Sequence, residues 1–377
     1  MKTLRLTGTA DASAVGERSL REILASSGEG DAAIASWLAG LENIGVVEGQ
    51  TLPMLLGTME LSLWTWARIL LQTGPLAERV RTIEALWGEL WAERPDEVEP
   101  RGLIREDEIL VERLCSALGI LYQGARHGPQ RPKPSAWRQR PRRPWRRRVR
   151  SSLDRPPSGV QLLCVVAGEE TTVSWAAQML RLLWPELELN GLEARVALLG
   201  PATPSLDSPA RTETTLEIRL DPYRVEAREP AAGEVAPDPE IVAGTLTAVW
   251  KRIRDLPGLG DVLTHRGVRF GDLARQDLEA VLLGRLRDAV GVWGRATALL
   301  AGLAPATTCV FCDGNGQDRA AADACRMAGR LLVLAERRPG CAGATDVTCA
   351  PAAGPGDAPQ LARTLVNPGG LRVHGSV

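Results

Sequence analysis

Hydrophobic and polar positions group into two blocks of strand-like and helix-like runs with a long polar stretch between them. In the first block, residues 4–6 alternate as a short strand does. Helix-period patterns follow over residues 14–25 and 32–41, with Asp31 placed as the N-cap of the second. Longer helical patterns cover residues 54–72 and 76–92. In the latter, Val80, Ile83, Leu86 and Leu90 recur every three or four residues and mark one buried face. Pro95 stops that run, because it lacks an N–H and restricts Arg94 before it. A short strand at 97–99, a loop at 101–105, a helix over 107–118 ending at Gly119, and a strand at 120–122 complete the block.

The second block opens at residues 160–166, a near-continuous apolar run of the kind found in strands covered on both faces. A helix over 173–183 and a strand over 194–199 follow, which together make a parallel crossover unit. Residues 201–239 are a polar excursion with one alternating segment, 215–220, that reads as an edge strand. Helices are expected over 239–254 and 272–303, then a strand at 307–312, a loop at 313–317, a helix over 318–328 and a strand over 331–335. Beyond Pro339 periodicity ends, and little order is expected.

The two blocks echo each other. Residues 95–122 align on 305–332 without a gap at a constant offset of 210, so that Pro95 falls on Pro305, Cys115 on Cys325 and Gly119 on Gly329. With an eight-residue slip the echo extends back, 48–52 lying on 266–270 and Leu55 on Leu273. It reads either as the general likeness of any two crossover units or as a duplicated α/β lobe, whose like halves would frame a ligand cleft.

Composition narrows the class. A chain of 377 residues with 44% hydrophobic residues can bury a sizeable core, and its net charge of -1 excludes a globally basic nucleic-acid binder. Its basic residues are almost all arginine, with only Lys2, Lys133 and Lys251 as lysines. Ten of them lie from Arg131 to Arg150, among four prolines and no acids, which reads as an exposed linker over 129–158. Trp137 and Trp145 within it give a second reading, an anionic membrane surface; nucleic acid ranks last. No apolar stretch is long and charge-free enough to span a bilayer, and residues 1–6 lack the apolar core of a signal peptide, so none is expected there. Seven scattered cysteines suggest a reducing cytoplasm. The expected organisation is an N-terminal lobe over 1–128, the linker, a second lobe over 159–338 and a tail over 339–377.

Candidate chemistry sits in the loops that follow strands. Cys309 and Cys312 are three apart on a strand and so face opposite ways, which favours core thiols over a zinc pair; no metal and no cofactor are expected. Asp313-Gly314-Asn315-Gly316-Gln317-Asp318 leads from a strand into a helix, where glycines would let amides approach a phosphate; a plain turn with Asp318 near the N-cap is the other reading. Gly168-Glu169-Glu170 holds the matching place after the 160–166 strand, and either glutamate is a candidate base or one of a solvated pair. His127, His265 and His374 are the only histidines, with no partner cluster in sequence.

The succession Leu263-Thr264-His265-Arg266-Gly267-Val268, a long helix, Leu303-Ala304-Pro305, a strand, an Asp- and Gly-bearing loop and the Ala-rich helix ending Cys325-Arg326-Met327-Ala328-Gly329 carries a resemblance. It is similar to the N-terminal, acceptor-side part of bacterial surface- and capsule-polysaccharide glycosyltransferases of the GT-B type, over residues 43–125 and 160–336. The sequence departs from them at Glu336-Arg337-Arg338-Pro339, where the family has a Gln-His-Gly-like turn, and the 42 residues after Ala335 are too few for the family's nucleotide-sugar domain. The pattern of elements implies an α/β protein with two Rossmann-like lobes and parallel sheets, a helix-rich N-terminal lobe and a disordered C-terminal tail; the resemblance adds the glycosyltransferase reading. It further implies sugar transfer at the inner face of the plasma membrane, from a nucleotide sugar to a glycan or lipid-linked acceptor, by a truncated and inactive relative or an active one. Glu169 or Glu170 would be the base; Gly168, His265, Asp313, Gly314, Asn315 and Gly316 would line the substrate. A non-catalytic binding or scaffold protein with duplicated lobes is the alternative.

Overall fold

The alternation near the N-terminus becomes β1 (Thr3–Thr7), which buries Leu4 and Leu6 and leaves Arg5 half-exposed between them. In this computed structural model, residues 2–8, 17–27, 30–47, 49–57, 63–124, 162–167, 170–189, 194–199, 239–256, 259–312, 314, 316–328, 331–337, 345–350 and 372–374 are described. The basic stretch 129–158 and the alternating segment 215–220 lie outside them.

β2 (Glu17–Ser19) occupies part of the expected first helix, and among the described residues of that span the helix is α1 (Leu20–Ser26). The reason is tertiary: the backbone of Glu17–Ser19 pairs in parallel with β1, Arg5 lying opposite Glu17. α2 (Gly30–Glu42) buries Ile34, Trp37, Leu38 and Leu41. Asp31 lies inside its first turn rather than capping it, 3.2 Å from Arg81. β3 (Gly45–Val47) and β4 (Gln50–Thr51) form a small antiparallel pair. The apolar run 54–72 divides into α3 (Leu52–Leu56), which stops at Gly57, and α4 (Leu63–Gln72). α5 (Pro75–Glu93) buries Val80, Ile83, Leu86 and Leu90, as their spacing predicts. β5 (Glu97–Arg101) leads to α6 (Arg105–Leu118), which ends on left-handed Gly119 (φ 72°) with the Ile120 N–H donating to the Cys115 carbonyl at 2.8 Å. β6 is Leu121–Tyr122.

β7 (Leu162–Ala167) is buried at all six positions, as expected of a strand covered on both faces. It is followed by α7 (Glu170–Leu189), β8 (Ala194–Leu199), α8 (Pro239–Arg254) and α9 (Leu259–Val262). β9 (Thr264–His265) and β10 (Val268–Arg269) make a tight hairpin whose two turn residues, Arg266 and Gly267, both have positive φ (50° and 76°). The long helical pattern over 272–303 is α10 (Gly271–Ala280), a widened π turn at Val281–Arg285, and α11 (Leu286–Leu303). β11 (Thr307–Cys312), α12 (Gly316–Met327) and β12 (Leu331–Arg337) follow. The tail, where little order is expected, contributes β13 (Thr345–Ala350), antiparallel to β12, and β14 (Arg372–His374), parallel to β13. Ladder pairing needs only backbone groups, so it can occur without a hydrophobic period.

Two units result. One holds the described residues among Met1–Pro141 and Thr245–Gly284, the other those among Arg142–Gly244 and Arg285–Val377. Residues 245–284 therefore join the N-terminal unit, where the sequence places them in the second lobe. Side chains from α5 and α6 hold their hairpin and helix there, through bonds that span more than 150 residues of chain.

Each unit has its own largely parallel sheet. The first has the order β2-β1-β5-β6 and the second β14-β13-β12-β11-β7-β8. In both, the strand that comes first in the chain lies inside, its successor on one side and the next two on the other. The registers agree as well. Thr3 lies opposite Glu97 and Glu97 opposite Leu121; Leu162 lies opposite Thr307 and Thr307 opposite Leu331. Arg94 and Ala304, 210 positions apart, are both left-handed (φ 43° and 44°), and their N–H groups donate to Leu90 and Leu300. Cys115 and Cys325 are both buried. The stretch that the sequence echo aligns thus adopts one succession of elements twice. The first crossover differs: α7 fills it in the second unit, whereas only residues 8–16 separate β1 from β2.

Candidate functional site

Strand order reverses between β7 and β11. From β7 the chain moves outward to β8, then returns to add β11 on the opposite side. In open parallel sheets such a switch point leaves a crevice at the carboxyl ends of the two strands, because the connecting helices depart to opposite faces. Val166 pairs with Phe311, so β7 and β11 end side by side. The loops singled out in the sequence leave from these two ends. Gly168, Glu169, Asp313 and Asn315 lie outside the described residues; Glu170, Gly314 and Gly316 are described. Glu170 is the first residue of α7.

The β11 loop is closed by its own helix. Gly314, left-handed and exposed, donates its N–H to Asp318 Oδ2 at 3.0 Å, and Asp318 is only 2% exposed. Asp318 is not the N-cap: it is the third residue of α12 and reaches back over the preceding turn. The amide that a phosphate would seek is therefore already bonded to a carboxylate. No basic residue stands between Ala167 and Val173 or between Cys312 and Arg319. The two loop segments thus carry only acidic and neutral residues.

Beneath the edge lies a thiol pair. Cys164 and Cys309 are cross-strand partners, and the Cys164 hydrogen bond together with burial pushes the Cys309 thiol well above its ordinary range. Cys325 is pushed up to about 12, first by burial. Phe311 packs edge-on against Trp175 of α7 with centroids 5.8 Å apart. Cys312 faces away from Cys309 and contacts the Val310 carbonyl at 3.8 Å. Among the described residues no group of three or more His, Cys, Asp or Glu could hold a metal ion.

His265 belongs to the N-terminal unit, whereas the β7 and β11 loops belong to the other. Its Nε2 lies 2.7 Å from Glu84 Oε2, and Glu84 is 7% exposed on α5. Glu84 also accepts from Arg266, Nε at 2.9 Å and Nη2 at 2.5 Å. The Arg266 bond holds the Glu84 carboxyl below its usual range, with His265 adding to it while burial opposes. The same guanidinium lies 5.8 Å from the Trp87 ring, and Trp87 stacks on Trp91. His265 is thus a clamp on the hairpin in this arrangement. Glu84 is the residue that sequence reading missed, and no local signal marks it, since its partners lie 181 and 182 positions away.

Comparison of the chain with family models, with curated proteins and with solved structures gives no match. Among the described residues no helix is long and apolar enough to cross a membrane.

Proposed function

We propose that this is a sugar-binding α/β protein with two Rossmann-like lobes, one around each sheet, and that a sugar or glycan seats at the carboxyl edge of β7 and β11. In this reading it resembles the acceptor side of a surface-polysaccharide glycosyltransferase. Glu169 or Glu170 takes the acceptor hydroxyl's proton as that oxygen bonds to the anomeric carbon of a nucleotide-sugar donor, while the bond from that carbon to the diphosphate breaks and the nucleotide leaves with its electron pair. Its place is the cytoplasmic side of the plasma membrane, which the run from Arg131 to Arg150 would contact.

The observation that carries the proposal is the reversal of strand order between β7 and β11, with two glycine-bearing, acid-rich loops leaving adjacent strand ends. Carboxylates accept hydrogen bonds from hydroxyl groups and repel phosphates, so this edge matches a polyhydroxylated ligand better than a bare anion. The Gly314–Asp318 bond adds to that preference.

The test is a thermal-shift panel on the full chain with UDP-, GDP- and CMP-sugars and with free oligosaccharides, followed by hydrogen-exchange mapping. A ligand at a hundred times its Kd stabilises by about 2.7 kcal/mol, equivalent to a Tm rise of about 5–10 °C for a unit of this size. Protection of peptides covering 162–170 and 312–318 supports the proposal. A flat response to every sugar, or protection confined to other segments, overturns it. Release of nucleotide with acceptor present, lost in Glu169→Gln or Glu170→Gln, supports transfer; sugar binding without release supports a non-catalytic binder.

A further inference from the structure

The N-terminal unit contains a cavity of about 630 Å³, within the span of roughly 300–1,000 Å³ typical of small-molecule sites. Its walls come from α6, from the end of α9, from the β9–β10 hairpin and from the start of α10. Arg113 and Ala117, four apart on α6, face it together; Asp272 and Arg275, three apart on α10, face it from the other side; Gly267 and Arg269 contribute the hairpin.

The three arginines differ in what they already hold. Arg113 is committed: it donates to both carboxylate oxygens of Asp272, at 2.7 Å each, and to the Arg269 carbonyl at 2.5 Å. That fork draws the Asp272 carboxyl below its usual range and fastens α6 to α10. Asp272 also accepts from its own helix's first-turn amides, so the positive end of α10 is already answered. The guanidinium groups of Arg269 and Arg275 are exposed, and neither forms a hydrogen bond or ion pair with another described side chain or backbone group. Asp255, whose carboxyl feels Arg275, is itself paired with Arg254 at 2.9 and 3.0 Å. Three positive groups against one negative leave the lining two charges positive. Both unmatched charges reside on guanidinium forks whose geometry fits phosphate oxygens. Gly267, left-handed, keeps the hairpin wall low: a Cβ there would lie 3.8 Å from Ala117 and narrow the space.

We infer that this cavity binds a small phosphate-bearing ligand of about two negative charges, a diphosphate or phosphate monoester, gripped by Arg269 and Arg275. The site is independent of the sugar edge proposed above, since every lining residue belongs to the other unit.

Titration calorimetry of the full chain with pyrophosphate, inorganic phosphate and UDP tests it. Pyrophosphate or UDP should bind, and Arg269→Gln and Arg275→Gln should each weaken binding by about tenfold or more, as expected for loss of a charge-assisted bond. Both side chains are exposed, so circular dichroism should show the variants folded. Arg269→Lys and Arg275→Lys, which keep the charge and lose the fork, should fall between. UDP binding more tightly than pyrophosphate identifies a nucleotide as the ligand, and equal affinity identifies the diphosphate alone. No binding of any probe at millimolar concentration, or binding unchanged in the Arg269→Gln/Arg275→Gln double variant, overturns the inference. Hydrogen-exchange protection at 263–275 rather than 162–170 separates this outcome from the fate of the sugar proposal.

Discussion

Replacing Glu84 with alanine removes the acceptor for three hydrogen bonds at once, one from His265 and two from Arg266. A hydrogen bond to a charged partner contributes about 1.5–3 kcal/mol, and breaking a buried pair costs about 3–5 kcal/mol. Arg266 is 46% exposed and recovers much of its loss through water, whereas the His265 side chain is 17% exposed. The expected penalty for Glu84→Ala is therefore near the lower end, about 3 kcal/mol, and about half of that for Glu84→Gln, which keeps one acceptor. The chain has two units, so a single global unfolding curve would blur the effect. Amide exchange of peptides covering 78–90 and 262–270 reads it locally, and 3 kcal/mol corresponds to roughly a 100-fold faster opening. The pH arm checks the cause. Because the folded carboxyl sits below the unfolded value of 4.5, the folded state resists protonation. Its stabilisation is full above that value and is lost as pH falls through 4.5 and then through the folded value. The gap between the natural chain and Glu84→Gln should thus shrink from pH 6 to pH 3. Exchange rates unchanged in Glu84→Ala, or a gap that does not vary with pH, would refute the reasoning.

Two further outcomes follow from packing. At Gly8 a Cβ would come within 2.2 Å of the Gly102 carbonyl oxygen, a backbone atom that cannot swing aside, so Gly8→Ala should destabilise the first sheet by about 1–3 kcal/mol, read as a lower urea midpoint. Cys115 and Cys325, both pushed up to about 12 by burial, should resist maleimide at pH 8 in the native chain and react on unfolding. Peptide mapping that finds either one labelled within minutes under native conditions would contradict their burial.

Sequence periodicity carried the helices and the inner strands, because each needs only its own spacing of apolar residues. The face Val80, Ile83, Leu86 and Leu90 is one case, and β8 and α8 match their expected spans. What local pattern could not express was pairing. Glu17–Ser19 looks helical and is a strand because β1 lies beside it. Residues 345–350 and 372–374 have no period and extend a sheet. Placing the candidate loops after strands was legible, since a strand followed by glycines and a helix says as much. That β7 and β11 are neighbours was not, since their order depends on where a 100-residue excursion returns. The Glu84 clamp and the arginine-lined cavity were invisible for the same reason: their members meet across more than 150 positions of chain.

The return of residues 245–284 to the N-terminal unit has a consequence for biosynthesis. Once Tyr122 leaves the ribosome, about 140 more residues must be made before His265 and Arg266 can reach Glu84. At about 5–20 residues per second that is a wait of roughly 7–28 seconds. Throughout it the nascent first sheet holds an unanswered carboxylate on a helix face meant for the interior. A chaperone that shields this face, or a fragment ending near residue 124 that fails to stay in solution, would both register the same delay.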